Sequence, residues 1–88
     1  MDLKDKTVIL TGAARVGQSV AEMLARQRAS LVLTYLASKK EIEEATEKSE
    51  KLGAKVYHVQ ADLSKKDDVA RLVAEAKKTF GHIDVLVH

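Results

Sequence analysis

Residues able to do chemistry lie in three places along this chain. The first is Thr11-Gly12-Ala13-Ala14-Arg15-Val16-Gly17-Gln18, directly behind the apolar run Val8-Ile9-Leu10 and ahead of a segment with helical periodicity. A turn from a parallel strand into a helix presents free backbone N–H groups at the positive end of the helix dipole, which suits an anion such as phosphate. Gly12 and Gly17 fit the tight turn and the close backbone approach that such a site requires, although two glycines also fit a turn that needs only flexibility. The second place holds Tyr35 and Lys39, at Y-x-x-x-K spacing. Such a pair does acid–base work when both side chains stand on one helical face and the cation lowers the phenol pKa. Here Tyr35 closes an apolar run and Lys39 opens a helical segment, so their directions diverge and no catalytic role is assigned. The third place is Asp62, behind another apolar run, which reads from the residues as an ordinary loop acid or as sharing a cap with Ser64.

Positioning these groups falls to seven elements. Four apolar runs, Thr7 to Thr11, Leu31 to Tyr35, Lys55 to Gln60 and Ile83 to Val87, lack strict alternation, as strands of a parallel sheet covered on both faces do. Three segments between them have helical periodicity. The first, about Arg15 to Arg28, gathers Val16, Val20, Met23, Leu24 and Gln27 on one side. The second, about Lys39 to Leu52, gathers Ile42, Ala45, Ser49 and Leu52, weakened by the polar Thr46 and Ser49, and Gly53 stands where a C-terminal cap belongs. The third, about Lys65 to Phe80, gathers Val69, Leu72, Val73, Ala76 and Phe80 ahead of Gly81. Ser38-x-x-Glu41 and Ser64-x-x-Asp67 read as capping boxes opening the second and third helices. Strands alternating with helices of this length call for right-handed crossovers and one parallel sheet.

With 88 residues the chain forms at most one small domain, which buries only about 60–65% of its unfolded surface. Lys and Arg number 15 against 13 Asp and Glu, mixed along the chain, and only Tyr35, Tyr57 and Phe80 are aromatic, a pattern that argues against nucleic acid as a partner. Without Cys there is neither a disulfide framework nor a thiolate metal site, and His58, His82 and His88 lack metal-ligand spacing. No apolar run approaches a membrane span, and the start Met1-Asp2-Leu3-Lys4-Asp5 lacks a signal-peptide core, so the expectation is a cytoplasmic protein.

Leu3 to Gly17, Ala61-Asp62-Leu63-Ser64 and Gly81-His82-Ile83-Asp84-Val85-Leu86-Val87-His88 together resemble the amino-terminal half of the short-chain dehydrogenases/reductases, in a branch similar to pteridine reductases or 3-oxoacyl reductases. The resemblance implies a Rossmann-like parallel sheet, four strands in order 3-2-1-4 with three helices, half of a doubly wound fold within residues 1–88. It implies that the first two helices share one face and the third covers the other. It also implies a nicotinamide dinucleotide cofactor and hydride transfer at a carbonyl or alcohol carbon. The family loop reads T-G-x-x-x-G-x-G or T-G-x-x-x-R-x-G; here four residues, not five, separate Gly12 from Gly17, so Val16 or Arg15 falls where glycine or arginine is expected. The shorter loop is expected to rotate the helix start or unwind its first turn. Gly12, Ala14, Arg15, Val16 and Gly17 are the expected pyrophosphate-side residues.

At the end of the second strand an acidic residue would accept from the ribose 2′-OH of NAD, but Thr34 to Lys40 contains none. Ser38 and Lys39, with Arg15 or Lys40, suit a 2′-phosphate instead, so NADP is expected over NAD. By resemblance, Asp62 bonds the adenine and Leu63 lies near its face. The family's catalytic Ser, Tyr and Lys follow the fourth strand and have no counterpart here. The leading expectation is therefore a nucleotide-binding fragment, natural or engineered, that self-associates through the open fourth-strand edge and an under-covered sheet face. The alternatives are a folding module of the same shape that binds no nucleotide, and the ordered portion of a longer active enzyme.

Overall fold

The computed structural model describes residues 3–12, 17–37 and 39–87. Its elements run β1 (Thr7–Leu10), α1 (Gly17–Arg26), β2 (Ser30–Tyr35), α2 (Lys39–Lys51), β3 (Lys55–Gln60), α3 (Lys66–Phe80) and β4 (Val85–Val87). All strand pairings are parallel, and the sheet order is β3-β2-β1-β4. The expected α/β architecture and strand order are those observed. No helix among the described residues is long and apolar enough to cross a membrane.

Strand side chains alternate between faces, and that alternation divides the core in two. Val8, Leu10, Leu31 and Leu33 pack with Ala21, Leu24 and Ala25 of α1 and Ile42 and Ala45 of α2. Ile9, Val32 and Val59 face the opposite way, against Leu72 and Ala76 of α3. Each fully buried Leu or Val contributes about 1.5–3 kcal/mol relative to exposure, so the central strands carry most of this stabilisation. The first two helices do share one face, as expected, and α3 alone serves the other.

That second face is unevenly covered. The in-register row Tyr57, Val32, Ile9 and Leu86 crosses the sheet from β3 to β4. Val32 and Ile9 are 0% and 3% exposed, whereas Leu86 at the edge is 65% exposed. An open apolar cavity of about 310 Å³ lies there, lined by Ile9, Leu63, Val69, Leu72, Val73 and Leu86 among others. Val69 and Val73 lie on the expected face of α3, but they line this opening instead of entering the packed core.

Several local expectations need correction. Helix α1 ends at Arg26, earlier than expected, while its expected start at about Arg15 lies outside the described residues, and Met23 points outward, 54% exposed. The inward stripe is Ala21, Leu24 and Ala25, because small side chains let the helix backbone lie close to the sheet. Leu52 is exposed just past the end of α2, while Ser49 is fully buried with its hydroxyl unpaired among the described residues. The Ser64-x-x-Asp67 capping box does not form: Lys65 stands at the cap of α3 without a side-chain cap bond. Ser64 Oγ donates instead to Asp62 Oδ1 at 2.6 Å. Ser38, the start of the other box, lies outside the described residues.

Helices α1 and α2 end alike, with paired bonds from the two residues beyond the last turn. Arg28 N–H donates to Ala25 O at 2.9 Å and Ala29 N–H to Leu24 O at 3.3 Å; Gly53 N–H donates to Glu50 O at 3.0 Å and Ala54 N–H to Ser49 O at 3.2 Å. This ending requires a left-handed residue, and φ is +101° at Gly53 but +62° at Arg28. A side chain at positive φ costs free energy that glycine does not incur, so the missing glycine signal also explains why α1 reads too long in the sequence. Arg28→Gly is expected to raise stability by about 0.5–1 kcal/mol, read as a higher urea midpoint with unchanged slope.

Strand β4 begins two residues later than expected because a side chain takes over the ladder. Asp84 N–H donates to Thr7 O at 2.9 Å. In return, Asp84 Oδ2 accepts the Thr7 N–H at 2.8 Å and lies 2.6 Å from His82 Nδ1. A carboxylate can only accept, so that imidazole nitrogen carries the proton. The Thr7 N–H above all, and the His82 contact after it, hold the Asp84 carboxyl below the ordinary aspartate range. A depressed folded-state pKa stabilises above the unfolded value and loses that contribution as pH falls through the folded one. The clamp is thus complete above about pH 4 and weakens below it. Asp84→Asn is expected to flatten the acid limb of a stability-versus-pH curve measured by urea denaturation between pH 2 and 6; an unchanged limb would show that the clamp contributes nothing.

Candidate functional site

In a parallel sheet every strand delivers its following loop to the same edge, so the loops after β1, β2 and β3 meet at the carboxyl ends of the strands. The sequence order reverses direction at β1, whose neighbours are β2 on one side and β4 on the other. Open α/β sheets bind ligands in the crevice at such a reversal. Thr11 N–H donates to Val87 O at 3.0 Å, with Thr11 Oγ1 3.4 Å from the same oxygen, which ties the exits of β1 and β4 together.

Gly12 has φ +69°, and among the described residues no atom lies within 4 Å of where a Cβ would stand. Its backbone therefore needs glycine for conformation, and the space beside it is open toward the edge. Gly17 is the first residue of α1, so the loop delivers its chain into a helix N-terminus. Ala14, Arg15 and Val16, expected on the pyrophosphate side, lie outside the described residues, as does Ser38.

Lys39 opens α2 and is largely exposed, with Nζ 4.0 Å from Glu43 Oε1, one helical turn on. Such an exposed pair constrains the ammonium little. Tyr35 ends β2, and its ring meets the His58 ring edge-on at 6.0 Å. His58 in turn lies 3.2 Å from Thr46 Oγ1. Tyr35 and Lys39 thus belong to different environments, as their placement at a strand end and a helix start predicts.

Asp62 is half-buried in the loop after β3. Its Oδ1 accepts from Ser64 N–H at 3.0 Å and from Ser64 Oγ at 2.6 Å. The Ser64 hydroxyl, followed by the Ser64 N–H, holds the Asp62 carboxyl below the ordinary aspartate range, so it is ionised at neutral pH and can only accept. The local bond to Ser64 expected for a loop acid is present. Leu63, expected near an adenine face, lines the apolar cavity beside Val69 and Leu86.

Sequence reasoning did not single out Gln60, Asp68 or Arg71, which brace these loops. Asp68 Oδ2 accepts the Asp62 N–H at 2.8 Å. Arg71 Nη2 donates to Gln60 O at 2.6 Å, and Gln60 Nε2 donates to Leu36 O at 2.8 Å. Polar residues on a strand end and an exposed helix face carry no spacing signal, since only the tertiary fold brings them to the loops. Among the described residues no group of three or more His, Asp or Glu side chains could hold a metal ion.

The short chain dehydrogenase family matches residues 6–88. A hydroxynaphthalene reductase-like protein, Arp2 of Metarhizium brunneum, is 37% identical over 86 residues, which is 97% of this chain and 32% of the relative. A short-chain dehydrogenase from Oenococcus oeni superposes with a TM-score of 0.89 at 34% identity, over 97% of this chain and 38% of that one. A mutant of a Serratia marcescens short-chain dehydrogenase/reductase gives a TM-score of 0.90 at 28% identity, over 98% and 36%. The chain thus spans about a third of the length of its curated relatives. With its parallel sheet in order β3-β2-β1-β4 and its glycine turn after β1, it belongs to the short-chain dehydrogenase family.

Proposed function

We infer that this chain binds the adenosine side of a nicotinamide dinucleotide, with NADP preferred over NAD, and that it carries no catalytic residue of its own. The observation behind this reading is that one sheet edge gathers three complementary groups: the Gly12 turn into α1, the cation of Lys39 opening α2, and the ionised Asp62 after β3. Each matches a different part of the ligand. Backbone N–H groups at a helix start suit the pyrophosphate. Lys39, with no Asp or Glu between Tyr35 and Glu41 to repel a second phosphate, suits the 2′ position. A carboxylate that can only accept suits the amino group of adenine, and Leu63 offers apolar surface next to it. When bound, the nicotinamide ring would supply or accept hydride. The chain's own residues bind and orient; Tyr35 and Lys39, at a strand end and a helix start, form no acid–base pair.

Titration with adenosine 2′,5′-bisphosphate and with AMP tests this reading. Saturable binding with preference for the bisphosphate is expected, and Lys39→Glu should remove about tenfold of that affinity, the scale of one charged hydrogen bond. Silence with both ligands would leave the second reading, a folding module of this shape without nucleotide binding.

Self-association is part of the same proposal. The Leu86 edge and the cavity beside α3 leave apolar surface and unpaired strand groups open to water, which favours pairing with another copy. Light scattering at high concentration is expected to give a dimer or larger species, and Leu86→Lys a monomer. A clean monomer of the unaltered chain would refute self-association.

A further inference from the structure

The nucleotide reading leaves open what holds the chain that leads from β2 to Lys39, the first residue of α2. The β2–β3 ladder ends with Tyr35 opposite Gln60, and one more backbone bond follows, Ala61 N–H to Tyr35 O at 2.9 Å. Beyond that point a side chain continues the ladder. Gln60 Nε2 donates to Leu36 O at 2.8 Å and so ties down the first residue past the strand. The Leu36 side chain is exposed, so the tie acts on its backbone. Gln60 is itself braced from α3, where Arg71 Nη2 donates to its carbonyl at 2.6 Å. The Arg71 guanidinium is steered from its own helix by Glu75 at 3.5 Å and Asp68 at 3.9 Å. On the adenine side, Asp62 is held by Ser64 and by Asp68, whose Oδ2 also lies 3.9 Å from Arg71.

We propose that Gln60, braced by Arg71, is a specificity-determining positioning residue that sets the β2–α2 loop for a 2′-phosphate without touching the nucleotide. The proposal rests on the nucleotide reading above. Its physical basis is that the Gln60 amide restrains the residues leading to Lys39, whereas the bonds of Asp62 to Ser64 and Asp68 do not use the Gln60 side chain. Losing the Gln60 amide therefore frees the 2′ end of the site and leaves the adenine end in place. A loop that must be ordered on binding lowers affinity by the entropy of that ordering, and only a ligand that uses the loop incurs it.

The experiment compares adenosine 2′,5′-bisphosphate with AMP on the full chain by calorimetric titration, with thermal unfolding recorded for every variant. Gln60→Met keeps side-chain length at an exposed strand position and removes the donor. It is expected to lower bisphosphate affinity about three- to tenfold, the range of one hydrogen bond, while AMP affinity moves less than about twofold. Arg71→Met removes the brace from the helix side and should lower the same ratio, whereas Arg71→Lys, which retains a donor, should restore part of it. An unchanged ratio in Gln60→Met overturns the proposal and leaves the nucleotide reading standing. An equal loss for both ligands also overturns it, because the residue would then act only on stability. No saturable binding of either ligand by the unaltered chain overturns the nucleotide reading, and this proposal with it.

Discussion

Everything at the carboxyl edge depends on β1 being hydrogen-bonded in parallel on both sides. Val8, Ile9 and Leu10 pair with Leu31 to Leu33 of β2 in one direction and with Val85 to Val87 of β4 in the other. Right-handed crossovers that leave β1 toward β2 and β3 lie on one face, and the crossover that returns to β4 must lie on the opposite face. The same requirement puts the Gly12 turn at the point where the strand order changes direction, with β4 beside it. Two polar ties hold this pairing at its ends: the reciprocal bonds of Thr7 and Asp84 where the strands begin, and Thr11 on Val87 where they finish.

The two faces are served unequally. Among the described residues, eleven buried apolar residues form the cluster under α1 and α2 and six form the one under α3, so the second layer is the smaller. Helix α3 covers the middle of the sheet and leaves Leu86 and the neighbouring cavity open. Leu86 belongs to both the sheet edge and the cavity, and β4 is less covered than β1 and β2.

Side-chain bonds help to hold the described parts of the loops after β2 and β3. Asp62 is drawn toward Ser64, its N–H is held by Asp68, and Leu36 is held by Gln60. These bonds join residues from a strand end, a loop and a helix face, and they take the place of the simple capping box that Ser64 and Asp67 suggest. Competition between a cap and a local turn is expected for Asp and Ser, whose short polar side chains can serve either. Here the turn wins because the cap position has passed to Lys65.

The fold was legible because it depends on patterns that survive without neighbours: apolar runs at strand length, helical periodicity between them, and glycines at Gly53 and Gly81 where helices end. The glycine turn after β1 was legible for the same reason, since a positive φ at Gly12 leaves a mark on residue type. The end of α1 was not legible, because Arg28 adopts the left-handed conformation without the glycine that advertises it. Nor was the inward face of α1, where Ala21 and Ala25 displace Met23, because a stripe of small residues is recognised only once a sheet lies against it. By itself the sequence determined the order of elements, the parallel sheet and the family; only the tertiary structure decided that Asp84 would clamp the start of a strand ladder and that Gln60 and Arg71 would brace the site loops. Those outcomes rest on contacts between residues far apart in the chain, and the energy of a polar side chain depends on the partner it meets, which spacing alone does not supply.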